Sequence, residues 1–140
     1  MMILLDTNII SDLMRPSPQA SVVAWLNAQE PLDVHISVIT IAEIEYGLKV
    51  LPEGQKRWSL QQKFEWFVAQ GFEGRILDFT ETAAHHYADI MAHRRSLGMP
   101  MSVPDGQIAA IARTHRFKLA TRNIKDFEEC GLVLVNPFGI

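Results

Sequence analysis

Cysteine is almost absent from this chain: Cys130 is the only one in 140 residues. No intrachain disulfide can form, and no thiolate zinc site can be built from a single thiol. Cys130 itself is expected to act as a small apolar residue, buried or half-buried. Long hydrophobic runs are absent too. The apolar start Met1-Met2-Ile3-Leu4-Leu5 stops at Asp6, far short of the ~20 residues a membrane-spanning helix needs and unlike a secretory leader. Cytoplasmic residence is the expectation. There is no glycine-rich phosphate loop, no repeat, no low-complexity tract and no Pro/Gly/Ser linker. No serine or cysteine sits in a nucleophile's setting, and His35, His85, His86, His93 and His115 show no chelating pattern. Positive charge is scarce: 13 Lys and Arg against 16 Asp and Glu give a formal net charge of −3. That balance disfavours a tight, sequence-independent nucleic-acid binder. An enzyme that grips phosphates through a metal ion still manages with a local basic patch.

What the chain does have is an alternation of short apolar runs and helical patterns. Residues 2–5, 34–38, 117–120 and 132–135 read as strands, with 75–79 as a weaker fifth. They are apolar almost throughout rather than alternating, as in parallel strands covered on both faces. Helical periodicity fills 17–29, 40–51, 56–70, 80–97 and 104–115, with Thr80 and Ser102 as starts and Pro104 in a first turn. Strands alternating with helices make an α/β protein with helices on both faces of a mostly parallel sheet. The length fits one domain, 1–140. Residues 53–71 and 80–98 follow one another closely and are expected to form a helical hairpin at the sheet edge.

Three carboxylates lie where these elements begin or end: Asp6, Glu43 and Asp105. Unpaired buried anions are costly, and a hard cation such as Mg²⁺ or Mn²⁺ with oxygen ligands would remove the cost if they meet. Asp6 directly follows the first strand, where ligands bind in open α/β sheets. A turn with a helix cap is the alternative there. Thr7 and Asn8 are placed to orient its carboxylate. Asp105 has Ile108, Ala109 and Ala112 at helical spacing, so it lies on the core-facing stripe, and Ser102 already supplies the cap. Glu43 is preferred to Glu45, which shares a face with Lys49 in the order of a solvated pair; Gly47, one turn after Glu43, leaves room for a ligand. In Thr121-Arg122-Asn123-Ile124-Lys125-Asp126, Thr121, Asn123 and Asp126 reach the same sheet edge, while Asp126 also suits a cap for a turn at 127–129.

These motifs, Leu5-Asp6-Thr7-Asn8, Ser37 through Glu43 and Gly47, Pro104-Asp105 with Ile108-Ala109, and Thr121-Arg122-Asn123 with Asp126-Phe127, are each short. In this order and spacing the chain resembles the PIN-domain ribonucleases, specifically the VapC/FitB-like toxins of bacterial toxin–antitoxin pairs. The resemblance covers nearly the whole chain. It implies a three-layer α/β/α sandwich and hydrolysis of RNA phosphodiesters with Mg²⁺ or Mn²⁺ at Asp6, Glu43 and Asp105. Asn123 stands where many relatives carry a fourth acid, with Asp126 nearby as a further ligand candidate. A homodimer neutralised by a small VapB-like antitoxin is implied as well. Arg15, Arg113, Arg116 and Arg122 are candidate phosphate contacts. Trp58, Phe64, Trp66 and Phe67 put apolar groups on more than one face of the 56–70 helix, which suggests an interface. Two other classes are weighed against this. A receiver-type phosphoacceptor needs a central Asp after the third strand, which Asp78 matches poorly. A catalytically inactive PIN-like module that binds RNA or protein stays open through Asn123.

Overall fold

Apolar side chains alternate across the first strand, and that alternation organises the fold. In the computed structural model, which describes residues 1–139, strand β1 (Ile3–Leu5) is buried throughout. Ile3 and Leu5 enter one hydrophobic cluster and Leu4 the other. Each such fully buried side chain contributes about 1.5–3 kcal/mol. Around β1 the remaining strands, β2 (Val34–Ser37), β3 (Ile76–Leu77), β4 (Lys118–Ala120) and β5 (Leu134–Val135), form one parallel sheet in the order β3-β2-β1-β4-β5. The first strand is central. Ile140, the last residue of the expected domain, lies outside the described residues.

Helices α1 (Thr7–Leu13), α2 (Ala20–Asn27), α3 (Val38–Lys49) and α4 (Gln55–Trp66) cover one face, where Ile9, Ile10, Val22, Ile44, Leu48 and Phe64 meet Ile3, Leu5 and Ile36. Helices α5 (Glu81–Ser96) and α6 (Val103–His115) cover the other, through Ala83, Ile90, Ile108 and Ile111 against Leu4 and Leu119. The expected α/β/α sandwich is therefore what forms. The helical hairpin is not: α4 and α5 lie on opposite faces of the sheet. The chain steps outward from β1 to β3 and then returns past β1 to β4. Right-handed crossovers running in opposite directions must lie on opposite faces.

Local signals set the helix ends. Thr80 Oγ1 accepts from the Ala83 N–H at the start of α5, and Ser102 Oγ from the Asp105 N–H at the start of α6. The expected helix at 56–70 appears as α4 followed by a π-turn, Phe67–Gly71. Helix α1, whose extent the residue pattern does not give, begins immediately after Asp6, which caps it. Gly106 lets α6 approach α5: a Cβ there would lie 2.5 Å from Met91 Sδ and 3.0 Å from Tyr87 Cε2. Cys130 is buried beside Met101, as expected of an apolar residue. Among the described residues no helix is long and apolar enough to cross a membrane.

Candidate metal centre

The strand order reverses at β1, and the crevice between β1 and β4 at their carboxyl ends is where open α/β sheets bind ligands. Asp6 sits there, 5% exposed. Its N–H donates to the Ala120 carbonyl, which ties the end of β1 to the end of β4. It is also the N-cap of α1, so the cap and the site position coincide in one residue. Oδ1 accepts from the Thr7 N–H at 2.8 Å; Oδ2 accepts from the Thr121 hydroxyl at 2.8 Å and from Asn8 Nδ2 at 3.2 Å. Asn8 Oδ1 in turn accepts from the Arg122 N–H. The carboxylate is thus held in one orientation by its own neighbours and by the chain after β4.

Glu43, half-buried on α3, is reached through Thr7. The Thr7 hydroxyl donates to Glu43 Oε1 at 2.6 Å, which leaves the buried Thr40 hydroxyl, 3.0 Å away, as donor to Thr7. Space beside Glu43 is open, with nothing within 4 Å of a Cβ built at Gly47. A groove of about 800 Å³ leads from Thr7 and Glu43 between α1, α3 and α4 to Lys56 and Lys63. Asp105 is half-buried in the first turn of α6.

The electrostatics link these groups. Burial pushes the Asp6 carboxyl from its ordinary 3.8 up to about 6. Bonds from Thr121 and Thr7 oppose the rise, and the charges of Asp105 and Glu43 add to it. Asp105 is raised as well, mainly by burial, with Asp126 and Glu43 adding while Ser102 and Arg94 lower it. Asp6, Glu43 and Asp105 therefore lie within one another's fields, and Asp126 lies within that of Asp105. Among the described residues, however, no three His, Cys, Asp or Glu side chains stand close enough to enclose one ion. Mg²⁺ typically needs only one or two carboxylates with water and phosphate completing its shell, so the all-oxygen donor set still suits it.

The remaining candidates separate. Asn123 is exposed at the N-cap position of a short 3-10 turn, Ile124–Phe127, without a side-chain capping bond, and its N–H donates to Thr121 Oγ1. Asp126 lies inside this turn instead of capping a later one. Arg15 is paired with Asp12, Arg122 stacks 4.6 Å from the Phe138 ring, and Arg113 and Arg116 line a cavity with Lys118 at the amino end of β4. Glu45 and Lys49 are both exposed and no ion pair joins them among the described residues. Thr40 is part of the motif from Ser37 through Glu43, but its contact with the Thr7 hydroxyl is not legible there. Its spacing after Ser37, which caps α3 through the Thr40 N–H, was the available signal of its place.

Comparison with known proteins agrees with the fold. Residues 3–131 match the family model described as PIN domain. The chain is 41% identical over 137 residues to the VapC ribonuclease Y4jK of Sinorhizobium fredii, covering 98% of each. It is 40% identical to toxin FitB of Neisseria gonorrhoeae, covering 98% of this chain and 99% of FitB. The crystal structure of FitAcB from Neisseria gonorrhoeae superimposes with a TM-score of 0.92 at 40% identity, covering 99% of this chain and 100% of that one. The match along the whole length, in sequence and in fold, leads to one conclusion: the chain belongs to the PIN-domain family, among its VapC and FitB relatives.

Proposed function

We propose that this protein is a Mg²⁺- or Mn²⁺-dependent endoribonuclease and the toxin of a toxin–antitoxin pair. The observation that carries this is Asp6: a carboxylate buried at the sheet's switch point, oriented by three hydrogen bonds and within the fields of Glu43 and Asp105. A structural role alone does not need two further carboxylates whose charges oppose its ionisation. Asp6, Asp105 and Glu43 would hold the ion, with Asn123 and Asp126 at its margin. A bound ion supplies Lewis-acid polarisation of the scissile phosphate and neutralises charge developing on its oxygens.

The chain's own groups do the rest. Thr7, Asn8 and Thr121 keep the Asp6 oxygens aimed, and fixed outer partners of this kind raise a ligand's affinity. Thr7 restrains Glu43 in the same way. The groove beside Glu43 and exposed Trp58 and Trp66, at 57% and 61%, would receive the antitoxin or a second copy of the chain. Light scattering with and without an antitoxin tests that part. The decisive experiment is digestion of a mixed RNA pool by purified protein. Cleavage is expected with Mg²⁺ or Mn²⁺ and none with EDTA. Cleavage that survives EDTA would reject metal dependence. No cleavage under any condition, with RNA still bound, would favour the inactive PIN-like module that Asn123 keeps in view.

A further inference from the structure

Two guanidinium groups have a buried Nε with no partner among the described residues, those of Arg75 and Arg94. Neither is paired with a carboxylate there; both bind main-chain carbonyls. Arg75 donates to Pro31, Val34 and Gly71 and lies 5.4 Å from the Phe72 ring centroid. It fastens the chain at the amino ends of β2 and β3. Arg94 is 4% exposed and continues the buried stripe of α5 that runs through Ala83 and Ile90, with Tyr87 half-buried beside it. An apolar side chain would fill that stripe without the cost of desolvating a cation.

The carbonyls that Arg94 does bind are informative. Its Nη1 donates to Glu128 at 2.8 Å and to Lys125 at 3.4 Å. Lys125 lies inside the 3-10 turn Ile124–Phe127 that carries Asp126 and begins after Asn123, and Glu128 directly follows it. Among the described residues, the ion pair between α5 and the chain after β4 is the exposed His93–Glu129 contact at 3.7 Å, which is charged only when His93 is protonated and is of a kind that contributes little. Arg94 also lies within electrostatic reach of Asp105. Its guanidinium is therefore central to the corner where α5, the start of α6 and the segment after β4 meet.

We propose that Arg94 is a positioning residue of the site: by binding the carbonyls of Lys125 and Glu128 it fixes segment 123–128 against α5 and α6, and so holds Asn123 and Asp126 in place relative to Asp105. The proposal rests on the metal-centre reading of that site. It differs from a purely structural role in what it makes sensitive. Arg75 supplies the control, because it is also a carbonyl-bound guanidinium but stands at the other end of the sheet.

Arg94→Met and Arg75→Met are compared with the parent by thermal melting, hydrogen exchange, Mn²⁺ titration of the metal-free protein, and kcat and KM on RNA. Both variants are expected to melt lower, since each leaves carbonyls unpaired. Only Arg94→Met should lose exchange protection across 123–130. It should also bind Mn²⁺ about tenfold or more weakly, the usual effect of removing a group that orients a ligand. Its kcat should fall while KM stays within about twofold. Arg94→Lys keeps the charge but not the planar fork, and should recover part of the Mn²⁺ affinity. If Arg94→Met does not fold, Arg94→Lys carries the same comparison. A folded Arg94 variant with parental Mn²⁺ affinity and parental exchange overturns the proposal. A parent that neither binds Mn²⁺ nor cuts RNA overturns the metal-centre reading first, and the role of Arg94 with it.

Discussion

Asp6 and Asp105 lie within each other's electrostatic field, yet the protein builds them by opposite means. Asp6 is local. Its strand, its cap and two of its three hydrogen-bond donors come from Leu5-Asp6-Thr7-Asn8, with only Thr121 supplied from afar. Asp105 is assembled from distant parts: Ser102 before it, the segment at 123–128 beside it, and Arg94 from α5 behind that segment. The first is buried and held by three hydrogen bonds, and the second is half-buried on a helix start. A site with one fixed wall and one assembled wall can be loosened from one side only.

The largest effect expected is on cleavage. Asp6→Asn and Asp105→Asn each remove a negative charge while keeping volume. Each should lower Mg²⁺-dependent cleavage by more than the roughly 100-fold that the loss of an outer partner can cost. Metal-free stability should separate the two walls. Asp105→Asn keeps a first-turn position and relieves repulsion from Asp126 and Glu43, so its melting temperature should match or slightly exceed the parent's. Added Mg²⁺ should raise the parent's melting temperature more than the variant's. Unfolding of Asp105→Asn would make Asp105 a structural residue, and parental cleavage by it would remove the second wall from the mechanism.

Next in size is a pH effect that belongs to the first wall. The Asp6 carboxyl titrates at about 6 when folded, against its ordinary 3.8. Between those values the folded protein holds a proton that the unfolded chain has released. The penalty is therefore complete above about 6, shrinks as pH falls, and is gone below 3.8. A shift of this size corresponds to at most about 3 kcal/mol. Asp6→Asn also turns an amide N–H₂ toward Asn8, an unfavourable contact that does not depend on pH. Its stability relative to the parent should thus be highest at pH 7.5 and decline towards pH 4.5, in urea melts with EDTA present. A difference that stays constant with pH would mean that Asp6 is not raised.

The same division explains what was legible beforehand. Caps at Thr80 and Ser102 and Asp6 at the end of the first strand are written in short stretches, and each appears where expected. The extent of helix α1 was missed because Ile9, Ile10 and Leu13 give too few turns to establish a period, and Asp-Thr-Asn suits a turn equally well. The expected hairpin failed because closeness along the chain says nothing about which face a crossover takes; the return from β3 past β1 decided that. Arg94 was invisible for a related reason. An arginine in a helix normally reads as solvated, and only the fold brings the Lys125 and Glu128 carbonyls to it. Long-range assembly hides from the sequence the contacts that support Asp105, although Asp105, Asn123 and Asp126 are themselves legible there.

Asn123 gives the smallest and sharpest test of the assembled wall. It is exposed, its side chain makes no capping bond, and its N–H is already satisfied by Thr121. Asn123→Asp should therefore leave packing untouched while adding a carboxylate near the turn that bears Asp126. Without metal the added charge lies near an acidic cluster and should destabilise slightly, within the roughly 0.5 kcal/mol of an ordinary surface substitution. With metal the same charge becomes a donor or a near neighbour of the ion, so Mn²⁺ affinity should rise severalfold, up to about tenfold, equivalent to ~1.4 kcal/mol. The two signs are opposite, which excludes a general effect on folding. Calorimetric titration of metal-free parent and variant, alongside melts in EDTA, reads both. Unchanged Mn²⁺ affinity would place position 123 outside the ion's surroundings, and would confine the assembled wall to Asp105 and Asp126.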